Sequence, residues 1–170
     1  WIQSLFFALL CGSAAAAGLE ISLSPDGSAT VAAGDTKLIN VTYNWPSLTN
    51  TLSNAVIQIP VPVGYDQNAP SVTMLNTVHV ASTNYNPTTH VITYTMISPM
   101  PAGSSGTFQI GLKFPNGTTP DNTTIPVQAT STATGQPSNE ATTSLTATAT
   151  DKATLDKIVG APPALDEKVT

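Results

Sequence analysis

Apolar residues in this chain alternate with polar ones in short runs, and Pro, Gly and Asn cut each run before it grows long. Ile39, Val41, Tyr43 and Trp45 fall on one side of a period-two pattern, with Asn40, Thr42 and Asn44 on the other. Phe108, Ile110, Leu112 and Phe114 stand in the same way against Thr107, Gln109, Gly111 and Lys113. Ile92, Tyr94 and Met96 alternate with Thr93 and Thr95; Ala55, Ile57 and Ile59 oppose Val56 and Gln58; Ile125, Val127 and Ala129 form another set. Further candidates are Leu19 to Ser24, Ser71 to Leu75, Val78 to Ser82 and Thr142 to Thr150. Successive side chains of a strand point to opposite faces, so this pattern reads as half-buried strands. Turn formers separate them: Pro25-Asp26-Gly27, Ala33-Gly34-Asp35, Asn86-Pro87-Thr88-Thr89, Pro101-Ala102-Gly103 and Pro115-Asn116-Gly117. Many short strands at near-regular spacing predict an all-β fold, an antiparallel β-sandwich.

Composition fits that reading and narrows the function. The chain has 170 residues, enough for one domain. It carries 5 Lys and no Arg against 10 acids, a net charge of −5. Nucleic-acid binding needs a basic surface that displaces counterions from phosphates, so no nucleic-acid partner is expected. Charged residues make up 9%, against about 25% in an ordinary domain. Thr fills the gap, at about one residue in six; its branched Cβ suits a pleated surface and its hydroxyl can face water. Hydrophobic content of 41% is enough for a core. Two His and one Cys leave little for a zinc site or a disulfide framework.

Residues 1–18 read as a secretory signal peptide that lacks its basic start: Ile2 to Leu10 are mostly apolar, and Cys11-Gly12-Ser13-Ala14-Ala15-Ala16-Ala17-Gly18 supply small residues for cleavage. The apolar run would form a short helix, well under the ~20 residues that cross a bilayer. A buried amphipathic helix and a lipid-modified Cys11 are the alternatives. At the other end, Leu155-Asp156-Lys157-Ile158 and Leu165-Asp166-Glu167-Lys168-Val169 repeat the order of Leu19-Glu20-Ile21 and Gly34-Asp35-Thr36-Lys37-Leu38. The expected organisation is therefore a signal peptide at 1–18, a sandwich at 19–150, and a linker with the first segments of a truncated second repeat at 151–170.

Several segments within 19–150 resemble the DUF11-like, immunoglobulin-like repeats of bacterial and archaeal surface proteins. Gly34-Asp35-Thr36 leads into the strand holding Tyr43; Ile59-Pro60-Val61-Pro62-Val63-Gly64-Tyr65 matches a Leu-Pro-x-Gly-Leu-type turn. Tyr85 to Tyr94 resembles the family's hairpin, Pro101 to Thr107 the approach to its penultimate long strand, and Ile125 to Thr132 its closing strand. The resemblance implies an immunoglobulin-like sandwich with an extracellular structural or adhesive role and no enzymatic one. Related fimbrial and adhesin domains close Lys–Asn or Lys–Asp isopeptide bonds beside a buried acid. Here Lys37 lies at a strand start beside Asp35 and Lys113 points outward; Lys157, at the start of the next repeat, is the better-placed isopeptide lysine, with a solvated linker Lys as its plainer reading.

Other candidate sites are sparse. His79 and His90 have no ligand-type neighbours in sequence and read as surface or strand-end residues, because metal sites need three or four clustered ligands. Ser residues are many, but none sits in Gly-x-Ser-x-Gly. Asp26, Asp35, Asp66 and Asp121 lie beside Gly, Pro or Asn, where turns explain them. Asp121-Asn122 with the Asn116 loop offers oxygens to calcium, without a loop consensus. Asn40, Asn116 and Asn122 each open a glycosylation sequon. Trp45-Pro46 and Tyr65 could join an adhesive surface, although Trp45 continues a buried face. No catalytic residue, metal or cofactor is expected.

These features predict a stalk or adhesin repeat of a secreted or cell-surface protein, meeting a protein or glycan at the cell surface or a second copy of itself. Membrane contact would come only through a signal peptide or an anchor outside the chain. The alternative is a filament or pilus subunit that donates a strand to its neighbour, with Ala141 to Thr150 as the donor.

Overall fold

The computed structural model describes residues 17–67, 78–115 and 122–148, and the backbone of 71–73. The signal-like helix, Cys11, Asn116, Asp121, Lys157 and the second repeat lie outside the described residues. In chain order the strands are β1 (Glu20–Pro25), β2 (Thr30–Ala32), β3 (Thr36–Asn44), β4 (Val56–Pro60), β5 (Ser71–Thr73), β6 (Val80–Asn86), β7 (Val91–Met96), β8 (Ser105–Lys113), β9 (Thr124–Ala133) and β10 (Gln136–Thr148). A 4-stranded sheet has the order β1-β3-β8-β5 and a 6-stranded sheet the order β2-β10-β9-β4-β7-β6. No helix occurs among the described residues.

The core forms where the alternation places it. Ile39, Val41, Tyr43, Phe108, Ile110 and Leu112 project from the first sheet, and Ile57, Ile59, Ile92, Tyr94, Val127 and Leu145 meet them from the second; all are buried. β3 and β8 run antiparallel in register from Thr36↔Lys113 to Asn44↔Ser105, so two apolar faces of equal length lie side by side. Full burial of such side chains stabilises by about 1.5–3 kcal/mol each.

Four sequence expectations need correction. The sandwich is not wholly antiparallel: β2 pairs parallel with β10, Val31 opposite Ala147. Pro25-Asp26-Gly27 ends β1, as a turn former should. It lets the chain leave the first sheet after β1 and continue in the same direction on the second, which is also the direction of β10. Gln109 is not solvent-facing but 8% exposed, and its Nε2 donates to Asn40 Oδ1 at 2.8 Å. β8 lies between β3 and β5, so its outer row is flanked on both sides. The strand foreseen at Val78 to Ser82 begins at Val80 and runs to Asn86, with Val78 and His79 in the preceding turn. Finally, Ala141 to Thr148 is no free donor strand. It belongs to β10, with Ala141 to Thr146 bonded to β9 and Thr146 to Thr148 bonded to β2.

Candidate functional site

One end of the sandwich gathers the loops 45–55 and 97–104 and the turn before β6. Tyr43 sits near the end of β3 and lies against Gly106 of β8. A Cβ at Gly106 would stand 2.4 Å from the Tyr43 hydroxyl, so only glycine admits the phenol there. The hydroxyl meets His79 Nδ1 at 3.2 Å, and His79 Nε2 lies 3.4 Å from Ser104 Oγ. Ser104 is buried and donates its own hydroxyl proton to the Pro101 carbonyl at 2.7 Å. That leaves the oxygen of Ser104 to accept from His79 Nε2–H, and His79 Nδ1 to accept from Tyr43 O–H. Burial raises the pKa of the Tyr43 hydroxyl, which keeps it a donor. Trp45 joins the same knot: its backbone N–H donates to Ser104 O at 2.8 Å and its Nε1–H to Asn50 O at 2.7 Å.

Chemically this chain of bonds ties loops together. A serine becomes a nucleophile when its proton is handed to a histidine oriented by a third group. Here the serine proton goes to a carbonyl and the histidine faces a phenol, so the groups satisfy one another. Leu48 is 85% exposed and Val78 is 75% exposed at this end of the molecule.

His90 is also held by a tyrosine. Asn86 Oδ1 caps the β6–β7 turn by accepting from Thr88 and Thr89 N–H at 2.9 and 3.2 Å. His90 follows at φ 54°, with Nδ1 3.0 Å from Tyr85 Oη. Tyr85 gives its proton to Gln67 O, and Gln67 Nε2 donates to Val61 O at 2.8 Å. Both histidines stand at strand ends, directly before β6 and β7, but each is half-buried and held by a tyrosine. Tyr85 and His90 are five apart around a turn and could have been paired by inspection; Tyr43 and His79 are 36 apart, and nothing local links them.

The remaining candidates are dispersed. Asn40 is half-buried in mid-strand and Asn122 is exposed at φ 61°. Trp45 and Tyr65 are both 3% exposed, and Tyr65 Oη donates to Ile125 O at 3.0 Å, so neither aromatic supplies an adhesive surface. Among the described residues the buried polar side chains are Ser104, Gln109, Ser131, Trp45, Tyr43, Tyr65 and Tyr94, with no lysine among them. No group of three or more His, Cys, Asp or Glu forms a metal-binding cluster among the described residues.

Sequence reasoning missed the sheet edges. Among the described residues these are β1, β5, β2 and β6, together with the stretch of β10 from Gln136 to Leu145 that β2 does not reach. β2 and β5 are 3 residues long, and β1 carries Glu20 and Pro25 at its two ends. Short length, charge and proline are the usual guards against stray pairing. β6 has 7 residues, VASTNYN, with none of these three and only the register irregularity between Val80 and Ser82 to blunt it.

No family model and no curated protein matches the sequence. Solved structures do share its fold. The major pilin subunit BcpA of Bacillus cereus superposes with a TM-score of 0.59 at 14% identity, covering 76% of this chain and 39% of the pilin. The C-terminal domain of BspA, an AgI/II polypeptide of Streptococcus agalactiae, gives 0.53 at 12% identity over 76% of this chain and 50% of that one. A chain of a type I cohesin–dockerin complex from Clostridium thermocellum gives 0.50 at 12% identity over 78% of this chain and 96% of that one. The chain thus spans about two fifths of the pilin chains it matches. At these identities the likeness is one of fold: the described residues from Leu19 to Thr148 form an immunoglobulin-like β-sandwich, the architecture of pilin, AgI/II polypeptide and cohesin domains.

Proposed function

We propose that the chain is a non-catalytic extracellular module, a stalk or adhesin repeat of DUF11-like type in a secreted or cell-surface protein. One observation carries this reading: the described residues of the sandwich start, at Leu19, and finish, at Thr148, at opposite ends of it. Leu19 O is held at the entry by Ser131 Oγ and by Asn139 Nδ2 at 3.1 Å. At the exit Thr148 O accepts from Ala33 N–H at 3.2 Å. Asn139 and Thr148 lie on the same strand, β10, so entry and exit are about 30 Å apart at ~3.4 Å per residue. Modules threaded this way line up in series, and each adds its length to a projecting chain. The Thr-rich surface, the low charge and the folds it shares with pilin and AgI/II polypeptide domains support the same reading. A protein or glycan at the cell surface, or a second copy, is the partner class.

A filament subunit is the second reading, favoured by the uncharged β6 edge. Strand donation from Ala141 to Thr150 is not part of it, because Ala141 to Thr146 already pair with β9 of the same molecule.

Antibody labelling of intact and permeabilised source cells tests the proposal. Labelling of intact cells that a surface protease removes is the expected result. Labelling only after permeabilisation would overturn it.

A further inference from the structure

We propose that β6 pairs with β6 of a second copy, antiparallel about a two-fold axis at Asn84. The inference stands apart from the stalk reading, since it concerns the module in solution as much as on a surface.

The edge is suited to pairing along its length. From Gln67 to Leu112 the sequence holds no Asp, Glu, Lys or Arg. β6 lies within that stretch, so two molecules of net charge −5 can approach there without placing like charges opposite each other. A register irregularity separates Val80 from Ser82, and from Ser82 to Asn86 the ladder with β7 is regular. Asn84 is the middle of that regular run.

A two-fold at Asn84 sets Asn84 against its own copy, Ser82 against Asn86, and Thr83 against Tyr85. Residues opposite each other in an antiparallel pair point to the same face. Ser82, Asn84 and Asn86 are exposed and make a polar row on the outer face, able to hydrogen-bond with their counterparts. Thr83 and Tyr85 are half-buried on the core-facing side, opposite Tyr94 and Ile92 of β7. Each Thr83 thus meets a Tyr85 of the second copy, a β-branched to aromatic pair. The ladder closes roughly four to six backbone hydrogen bonds whichever parity faces out.

A second copy fits this edge better than a foreign peptide. Strand addition selects a peptide through side-chain pockets beside the edge, and the row Ser82, Asn84 and Asn86 is exposed and polar. The interface is small, below the roughly 1,200 Å² of stable complexes, so single modules should associate with a dissociation constant of roughly 0.1–1 mM. Copies held side by side on one surface would gain from their high effective concentration.

The test is sedimentation velocity and NMR diffusion on the full chain up to millimolar concentration, with Asn84→Lys and Asn84→Glu. The Asn84 side chain is exposed, and unchanged melting curves confirm folding of both variants. We expect reversible dimerisation of the unaltered chain. Each variant alone should dimerise at least about tenfold more weakly, because like charges would face each other at the axis. An equimolar mixture should regain dimers of one copy of each. A chain that stays monomeric at millimolar concentration overturns the proposal. So do variants that associate as the unaltered chain does, growth beyond the dimer that the variants do not reduce, or a mixture that fails to regain dimers.

Discussion

Tyr94 of β7 stacks on Phe108 of β8 across the two sheets, with ring centroids 3.7 Å apart and planes 25° from parallel, and its buried hydroxyl has no hydrogen-bond partner. The rings join the sheets at the centre of the core, while the phenol oxygen is desolvated without return. An orphaned buried polar group costs about 1–3 kcal/mol. Tyr94→Phe keeps the stack and removes that cost, less a small term for the vacated space. The variant should be more stable than the natural chain by about 1 kcal/mol in urea unfolding. Phe108→Ala should lose about 3–5 kcal/mol by opening a cavity against the same ring. A destabilised Tyr94→Phe would mean that the hydroxyl has a partner.

The tyrosines also set how the domain meets alkali. Burial raises the hydroxyl pKa of Tyr43, Tyr65 and Tyr94. Below the unfolded value of about 10 all are protonated in both states, and they make stability neither rise nor fall with pH. Above it the unfolded chain releases these protons and the folded chain keeps them. The unfolded state then binds fewer protons, so stability falls as pH rises, by up to roughly 1.4 kcal/mol per pH unit for each tyrosine. Urea midpoints should hold steady towards pH 10 and drop beyond it. Tyr94→Phe and Tyr65→Phe should each make the drop shallower. A drop of the same steepness in both variants would remove the tyrosines as its cause.

The core was legible in the sequence and the connectivity only in part. Ile39, Val41, Tyr43 and Trp45 are buried as their spacing predicts, as are Phe108, Ile110, Leu112 and Phe114. Period two is a local property, and an amphipathic strand has one way to turn. The parallel β2–β10 pair was hidden because Val31 and Ala147 meet only after the chain has crossed between sheets. Gln109 looked solvent-facing because alternation gives the face of a strand and not its place within the sheet. β10 looked shorter than it is because its first residues, from Gln136 to Glu140, are polar on both faces. The tie from Tyr43 through His79 to Ser104 left no local trace, and the resemblance to surface-protein repeats foresaw the fold without it.

Of the two described sequons, Asn122 is the one a glycosylating host should use. Asn40 lies in mid-strand between Ser24 of β1 and Gln109 of β8, half-buried, with its amide oxygen taken by Gln109. A glycan there would crowd both neighbours. Asn122 is exposed in the turn before β9. Intact mass spectrometry of secreted protein should show Asn122→Gln losing one glycan and Asn40→Gln losing none. The opposite pattern would show that exposure in the folded sandwich does not govern modification.

Gly64 makes two separable demands on its site. Its φ of 109° lies where side chains are strained, and a Cβ there would stand 2.4 Å from Ile125 Cδ1. The strain belongs to the backbone and costs of order 1–3 kcal/mol. The clash involves the end of a flexible side chain, with Ile125 Cγ1 already 3.7 Å away. Gly64→Ala should therefore destabilise by roughly 2–4 kcal/mol, the sum of both. Ile125→Val removes Cδ1 and alone costs about 0.5–1.5 kcal/mol. In the double variant the clash is gone and the strain remains, so the two losses should fall short of adding by about 1 kcal/mol. The turn also positions Tyr65, whose hydroxyl donates to the Ile125 carbonyl, and a coupling of that size would place backbone strain above side-chain crowding as the reason for glycine. Full additivity in urea unfolding would show that Ile125 does not feel the substitution at all.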